Sequence, residues 1–312
     1  MSNNIGMDPT ELIRNGKLKR YFRATRKLNV PRLVFHITQR AAGREPLFVE
    51  DADYLFMIWL IKEISREHGL RVYAFCLMPN HVHLLLSSTE PNLYDAMRNL
   101  FSRYAMKFNG KYERRGHLFG GPYRQAVCLD DSYLLAASLY IHLNPVKANL
   151  AQDPSVYRWS SCRLYCRGKS RESFVDPALV LNLLSGEADK KARYRQMLEE
   201  GAGLDVRNVI EKENAIASLR AKLASICPSV FSALAKGTRV AQQAGVTLLS
   251  AEELDRLEEE IRNQGLARSP ESKKAKRYVI EQLLARGYTQ IEIADRLGVC
   301  RKTVYNLLKS TP

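Results

Sequence analysis

The chain has 312 residues, with 48 Lys+Arg against 33 Asp+Glu and a formal charge of +15. A hydrophobic share of 46% beside 26% charged residues excludes a mostly disordered or collagen-like chain and supplies a core without disulfide staples. No apolar run approaches the ~20 residues that span a bilayer, the basic first thirty residues lack the apolar segment of a secretory signal, and the six cysteines lack zinc-site spacing; reduced thiols in a cytoplasmic protein with no membrane partner are expected.

In chain order, residues 1–25 read as a basic tail. Leu33–Thr38 is β-branched and aromatic, hence a strand. Asp51–His68 carries a helical stripe of Tyr54, Leu55, Ile58, Ile61 and Ile64, closed by Gly69. Leu70–Leu77 and His81–Ser88 read as strands joined by the turn Met78-Pro79-Asn80. Asn92–Asn109 is a second amphipathic helix, with Leu93, Met97, Leu100, Tyr104 and Phe108 inward. Gly116–Gly121 is a glycine-rich bend, and Arg124–Leu129 a fourth strand. Asp130–Leu143 is a third helix, started by Asp130, Asp131 and Ser132 and ended or kinked by Pro145.

The order strand–helix–strand–strand–helix–strand predicts an α+β fold: a ferredoxin-like antiparallel sheet with helices on one face, closed by the further helix. Residues 172–270 lack strand-like alternation and read as a helical connector, with helices at 176–184, 190–198, 206–223 and 251–262. Residues 271–312 form an all-α end, and the first domain spans 26–171.

Charge follows this division. Residues 1–171 hold 26 basic and 14 acidic side chains, residues 172–270 hold 13 and 15, and residues 271–312 hold 9 and 4. Basic excess at both ends points to a polyanion, most often nucleic acid. Within 103–124 basic residues alternate with aromatics, so Arg103, Lys107, Arg114, Arg115, Tyr123 and Arg124 are candidate DNA contacts: cations for phosphates, rings for unpaired bases.

His81-Val82-His83 puts two imidazoles on one strand face, where they can meet one divalent cation, while Val82 and Leu84 face the packed helices. In its context, Met78-Pro79-Asn80-His81-Val82-His83-Leu84-Leu85-Leu86, the pair resembles the histidine–hydrophobic–histidine signature of single-strand DNA endonucleases. More closely it resembles the REP-associated tyrosine transposases, relatives of the single-tyrosine insertion-sequence transposases. The blocks His36–Arg40, Gly116–Tyr123, Tyr140–Lys147 and Tyr157–Ser161 follow in the family's order, and together cover about residues 20–170.

The resemblance assigns Tyr140 as nucleophile and Asn144, one helical turn on, as the amide oxygen completing a metal site with His81 and His83. It implies Mg²⁺ or Mn²⁺ as cofactor, single-stranded or hairpin DNA as partner, and a 5′-phosphotyrosine intermediate. Tyr104 and Tyr123 are the other candidate nucleophiles; His36 and His117 are weaker site candidates. Cleavage is expected to need only the first domain. The alternative is a domesticated, catalytically silent DNA-binding regulator.

At the C-terminus, Ala275–Ala285, Thr289–Leu297 and Arg301–Lys309 read as three helices with Gly298 in a turn. They resemble a helix-turn-helix whose recognition helix exposes Arg301, Lys302, Thr303 and Asn306, a possible grip on duplex DNA.

Overall fold

The computed structural model describes residues 31–43, 45–128, 130–167, 173–184, 186–203, 215–235, 240, 251–263, 272–273, 275–276, 279–280, 283 and 290–309. The expected tail at 1–25, residues 206–214 of one expected connector helix and much of the expected helix at 275–285 lie outside the described residues.

The first strands and helices are β1 (Val34–Arg40), α1 (Asp51–His68), β2 (Leu70–Met78), β3 (His81–Ser88), α2 (Leu93–Lys111), β4 (Arg124–Cys128) and α3 (Asp131–Lys147). The sheet order is β2-β3-β1-β4, antiparallel throughout. This is the ferredoxin-like arrangement the pattern implied. Register places Thr38 opposite His83 and Arg40 opposite His81. β2 would be an open edge, with unpaired backbone groups available to another chain. It is covered by residues 160–161, where Ser161 N donates to Phe75 O at 3.0 Å, and by Asp176 N donating to Val72 O at 2.8 Å.

The two faces are packed differently. Val82, Leu84, Phe35 and Ile37 point into a core formed with α1 and α2, including Met57, Leu60, Met97, Leu100 and Tyr104. The first two helices therefore share one face, but helices are not confined to it: α3 takes the other, against Val34, Ala74, Cys76, Leu85 and Cys128. Gly69, in left-handed conformation at φ +62°, ends α1 where a side chain would collide with Thr89.

α3 starts at Asp130, whose carboxylate accepts from Tyr133 N at 2.7 Å. Pro145 does not end it; the helix runs to Lys147. A proline in the last turn costs only its own N–H bond, and the chain turns off at Asn149, φ +54°. Between Ser132 and Val146 α3 has no charged side chain, and residues 134–145 are buried throughout. A helix apolar on all sides needs cover on all sides.

That cover comes from α4 (Cys162–Cys166), α5 (Ala178–Leu181), α6 (Lys190–Ala202), α7 (Ala215–Ile226) and α8 (Pro228–Ala235). Tyr165, Val180, Tyr194, Met197, Leu219, Leu223 and Phe231 join α3 in one core. Gly201 lets α6 approach, since a Cβ there would come within 2.8 Å of Leu143. His142 of α3 is hydrogen-bonded to Tyr194 Oη at 2.9 Å and Ser161 Oγ at 2.8 Å, and Tyr194 Oη donates to Ser138 at 3.1 Å. Packing thus runs across the boundary expected at 171.

The expected connector also divides at its other end. α9 (Ala251–Asn263) shares a third core with α10 (Gln290–Leu297) and α11 (Arg301–Lys309): Leu254 and Ile261 pack with Ile293, Leu297 and Val304. Arg296 of α10 pairs with Glu258 at 2.8 Å and Asp255 at 3.0 Å on α9. No helix among the described residues is long and apolar enough to cross a membrane.

Candidate active site

Alternation along β1 and β3 brings His36, Thr38, Arg40, His81 and His83 to the α3 face of the sheet. Tyr140 descends from α3 onto the same spot. Its ring meets His83 edge-on at 5.6 Å between centroids and His36 at 5.9 Å. Asn144 lies one turn further along. Its Nδ2 donates to the Tyr140 backbone carbonyl at 2.7 Å, which fixes the orientation of the amide. His81 is 8% exposed, His83 2%, Tyr140 7% and Asn144 3%, so all four belong to a closed site.

Each imidazole is held from behind. The turn before β3 is pinned to the end of β1, where Ala41 N donates to Asn80 O at 2.9 Å. Asn80 Oδ1 then accepts from His81 Nδ1 at 2.7 Å. An amide oxygen can only accept, so the proton of neutral His81 sits on Nδ1 and its Nε2 carries a lone pair. His83 Nδ1 faces His36 Nε2 at 2.9 Å. The Nε2 atoms of His81 and His83 are buried and find no hydrogen-bond partner among the described residues.

Burial removes the water that would stabilise an imidazolium. It brings His36 down to about 4 and, with the nearby Arg40 charge, His81 down to about 3. His83 is pushed well below the ordinary 6.5, first by burial, then by His81, His36 and Arg40. Near neutral pH these rings are uncharged, the state in which a histidine coordinates metal. Among the described residues no three His, Cys, Asp or Glu side chains converge as a metal group. The Asn144 amide oxygen is a donor of the type that suits a hard divalent cation.

The other candidate nucleophiles lie elsewhere. Tyr104 is buried among α1 and α2 on the opposite face, its hydroxyl donating to Leu47 O at 2.5 Å. Tyr123 packs in that same core beside Phe101, centroids 6.3 Å apart, so its ring offers no open stacking face as a DNA contact. The aromatic half of the basic–aromatic alternation is largely core for the same reason: a helix facing a sheet needs large apolar groups.

The cations fare differently. Lys107, Arg115 and Arg124 are exposed, and Arg124 stands opposite Thr38 in register, on the histidine face. Arg103 pairs with Glu67 at 3.3 Å and lies over the Trp59 ring. Arg114 bonds Asn109 at 3.2 Å and also pairs with Glu45. His117 is an exposed residue of the bend, which is tied to β1 by Gly120 N donating to Arg40 O at 3.1 Å.

The sequence placed His36 among the weaker candidates and gave Thr38 and Arg40 no role of their own; the structure sets all three on one face with His81 and His83. Their signal was available: all three alternate on one strand of the quoted block His36–Arg40. At the far end of the chain, Arg301, Lys302 and Asn306 are exposed on α11 while Val304 is buried. Thr303 is half-buried, its Oγ1 3.2 Å from Cys300 Sγ.

The domain is an antiparallel ferredoxin-like sheet that carries a histidine–hydrophobic–histidine strand, with the helix of Tyr140 set over it. Residues 29–144 match the family model described as IS200-like transposase. Residues 271–310 match a homeodomain-like domain, in keeping with the helix-turn-helix. Among solved structures, a REP-associated tyrosine transposase bound to a REP hairpin is similar at 14% identity and a TM-score of 0.41, covering 49% of this chain and 93% of that one. Comparison with curated proteins finds no match.

Proposed function

We propose that this protein is a metal-dependent single-stranded DNA endonuclease and strand transferase that works through Tyr140. The observation carrying this reading is the meeting of two bare, buried imidazole nitrogens with the ring of a helix-borne tyrosine, 5.6 Å from His83. His81, His83 and the Asn144 amide oxygen would hold Mg²⁺ or Mn²⁺. A divalent cation bound there supplies Lewis-acid polarisation of a nonbridging phosphate oxygen.

The chain's own groups do the rest. A phenol ionises near ~10, so the nucleophile depends on cationic surroundings, and Arg40 stands opposite His81 on the same face. Tyr140 loses its proton to water and attacks phosphorus. The Tyr O–P bond forms as the P–O3′ bond breaks, and the departing 3′ oxygen takes up a proton. The 5′ end stays on Tyr140, and that 3′-OH, or another, reverses the attack. Because the phosphodiester energy is retained, no nucleotide cofactor is required.

Arg124, Lys107 and Arg115, all exposed, would meet backbone phosphates, with hairpin-forming single strands as substrate. The homeodomain-like end adds a second grip, on duplex DNA, through Arg301, Lys302 and Asn306.

The test is incubation of the full chain with labelled single-stranded hairpin DNA and Mn²⁺, followed by denaturing electrophoresis. A covalent protein–DNA band that Tyr140→Phe removes is expected. Tight binding without such a band would favour a silent DNA-binding regulator, a reading to which the closure of the site gives some weight.

A further inference from the structure

We propose that His36 is a positioning residue: it accepts the Nδ1 proton of His83 and so keeps the Nε2 lone pair of His83 bare for a divalent cation. The inference rests on the metal reading above and extends it to a residue outside the ligand set.

The geometry is that of an outer partner. On β1, Thr38 is the direct neighbour of His83, and His36 is opposite Leu85. His36 nonetheless leans along the strand until its Nε2 is 2.9 Å from His83 Nδ1, with the two rings 15° apart in plane. Thr38 Oγ1 lies further off, at 3.3 Å from the same nitrogen. Because its Nε2 is turned onto His83, His36 stands behind that ligand, as Asn80 stands behind His81 at 2.7 Å.

The two outer partners differ in one respect. Asn80 Oδ1 can only accept, so it dictates the tautomer of His81. His36 can accept or donate, so the His36–His83 pair has two proton arrangements. In one, His83 carries hydrogen on Nδ1, donates it to His36 Nε2 and presents a lone pair at Nε2. In the other, His36 donates, and the neutral His83 must carry its hydrogen on Nε2, where it blocks a cation. Each arrangement leaves one buried N–H without a partner among the described residues, on His36 Nδ1 or on His83 Nε2. A cation at His83 Nε2 is compatible only with the first, so it selects that arrangement, with His36 as acceptor. Partners of this kind orient the ring and raise ligand basicity.

The experiment measures Mn²⁺ binding to the full chain by electron paramagnetic resonance, for wild type, His36→Phe and His36→Gln, each combined with Thr38→Val to remove the longer contact. His36→Phe keeps a ring but no acceptor and is expected to bind Mn²⁺ ~10–100-fold more weakly. His36→Gln offers an amide oxygen and should recover most of that loss. Long-range ¹H–¹⁵N spectra of the histidine-labelled wild type with Mg²⁺ should show His83 protonated on Nδ1. Wild-type affinity in a folded His36→Phe variant overturns the proposal alone. So does His83 protonated on Nε2 in the Mg²⁺-loaded chain, a readout that stands even if His36→Phe does not fold. No Mn²⁺ or Mg²⁺ binding by the wild type overturns the metal reading and this proposal with it.

Discussion

The two faces of the one sheet invite comparison. Strand β3 sends Val82, Leu84 and Leu86 into the α1–α2 core and His81 and His83 to the α3 side, residue by residue. The first face is apolar and filled by leucine, methionine and aromatic rings. The second carries His36, Thr38, Arg40, His81 and His83 beneath α3, a helix that is itself buried and that bears Tyr140 and Asn144. The rigid, dry face fixes the strand so that the other face can hold rings in one geometry. Precise placement of neutral imidazoles needs a backbone that does not move.

The sharpest test of that division is Tyr140→Phe. The ring and its edge contacts persist, the oxygen goes, and the covalent DNA adduct should disappear entirely while hairpin binding persists in a filter or gel-shift assay. An adduct that survives would transfer the chemistry to another residue and undo the contrast between faces.

Nearly as large is the expected effect of shortening the chain. Ending it near Arg167 strips Tyr194, Leu219, Leu223 and Phe231 from α3 and exposes the outer side of the tyrosine helix. Such a chain should lack a cooperative unfolding transition. One that keeps residues through Val240, which packs in the second core and whose N donates to Asp131 at 3.3 Å, should melt cooperatively and retain adduct formation, because the third core lies beyond it. A soluble, cutting fragment ending near 167 would support a self-sufficient first domain, as the sequence boundary at 171 suggested.

Paired substitutions on β3 separate the faces by free energy. Leu84→Ala removes a fully buried side chain from the first core and should cost ~2–5 kcal/mol in urea unfolding, with Mn²⁺ affinity of the folded protein retained. His83→Ala should cost less stability yet lose Mn²⁺ binding. The reverse pattern would mean the histidines are packing residues.

Acid should weaken the α3 side first. Burial holds His36 at about 4 and His81 and His142 at about 3, below the ~6.5 of a free imidazole. The unfolded chain therefore takes up protons first as pH falls. Stability is full above ~6.5 and drains as pH drops toward 4 and 3, by up to ~1.4 kcal/mol per unit for each histidine. Urea midpoints at pH 7.5, 6.5 and 5.5 read this above the carboxylate range. A flat profile over that window would show these rings are not buried neutral.

The smallest effect concerns the far end. Arg301→Ala with Lys302→Ala should weaken duplex binding and lower the slope of log affinity against log salt by up to about 2, with adduct formation on hairpin DNA unchanged. An unchanged salt slope would make α11 a protein-contact surface instead.

Sequence alone determined a great deal. Alternation in β1 to β4 fixed which residues share a face, because a strand has period two whatever it packs against. His81 and His83 were legible on that basis, and the inward positions of α2 and the shared face of Tyr140 and Asn144 on the 3.6-residue helical period. Tertiary structure decided what local pattern leaves open. The resemblance preferred Tyr140 to Tyr104 and Tyr123, but the packing of α3 is what sets Tyr140, and neither of the other two, beside the histidines. His36 reads as one more strand histidine until the β1–β3 register brings it to His83. What covers the uncharged stretch of α3 lies in separate helices spread from Cys162 to Ala235, and nothing within the stretch names them. Long-range contacts of that kind arise from complementary shape and burial between distant segments, and periodicity within one segment carries no record of its partner.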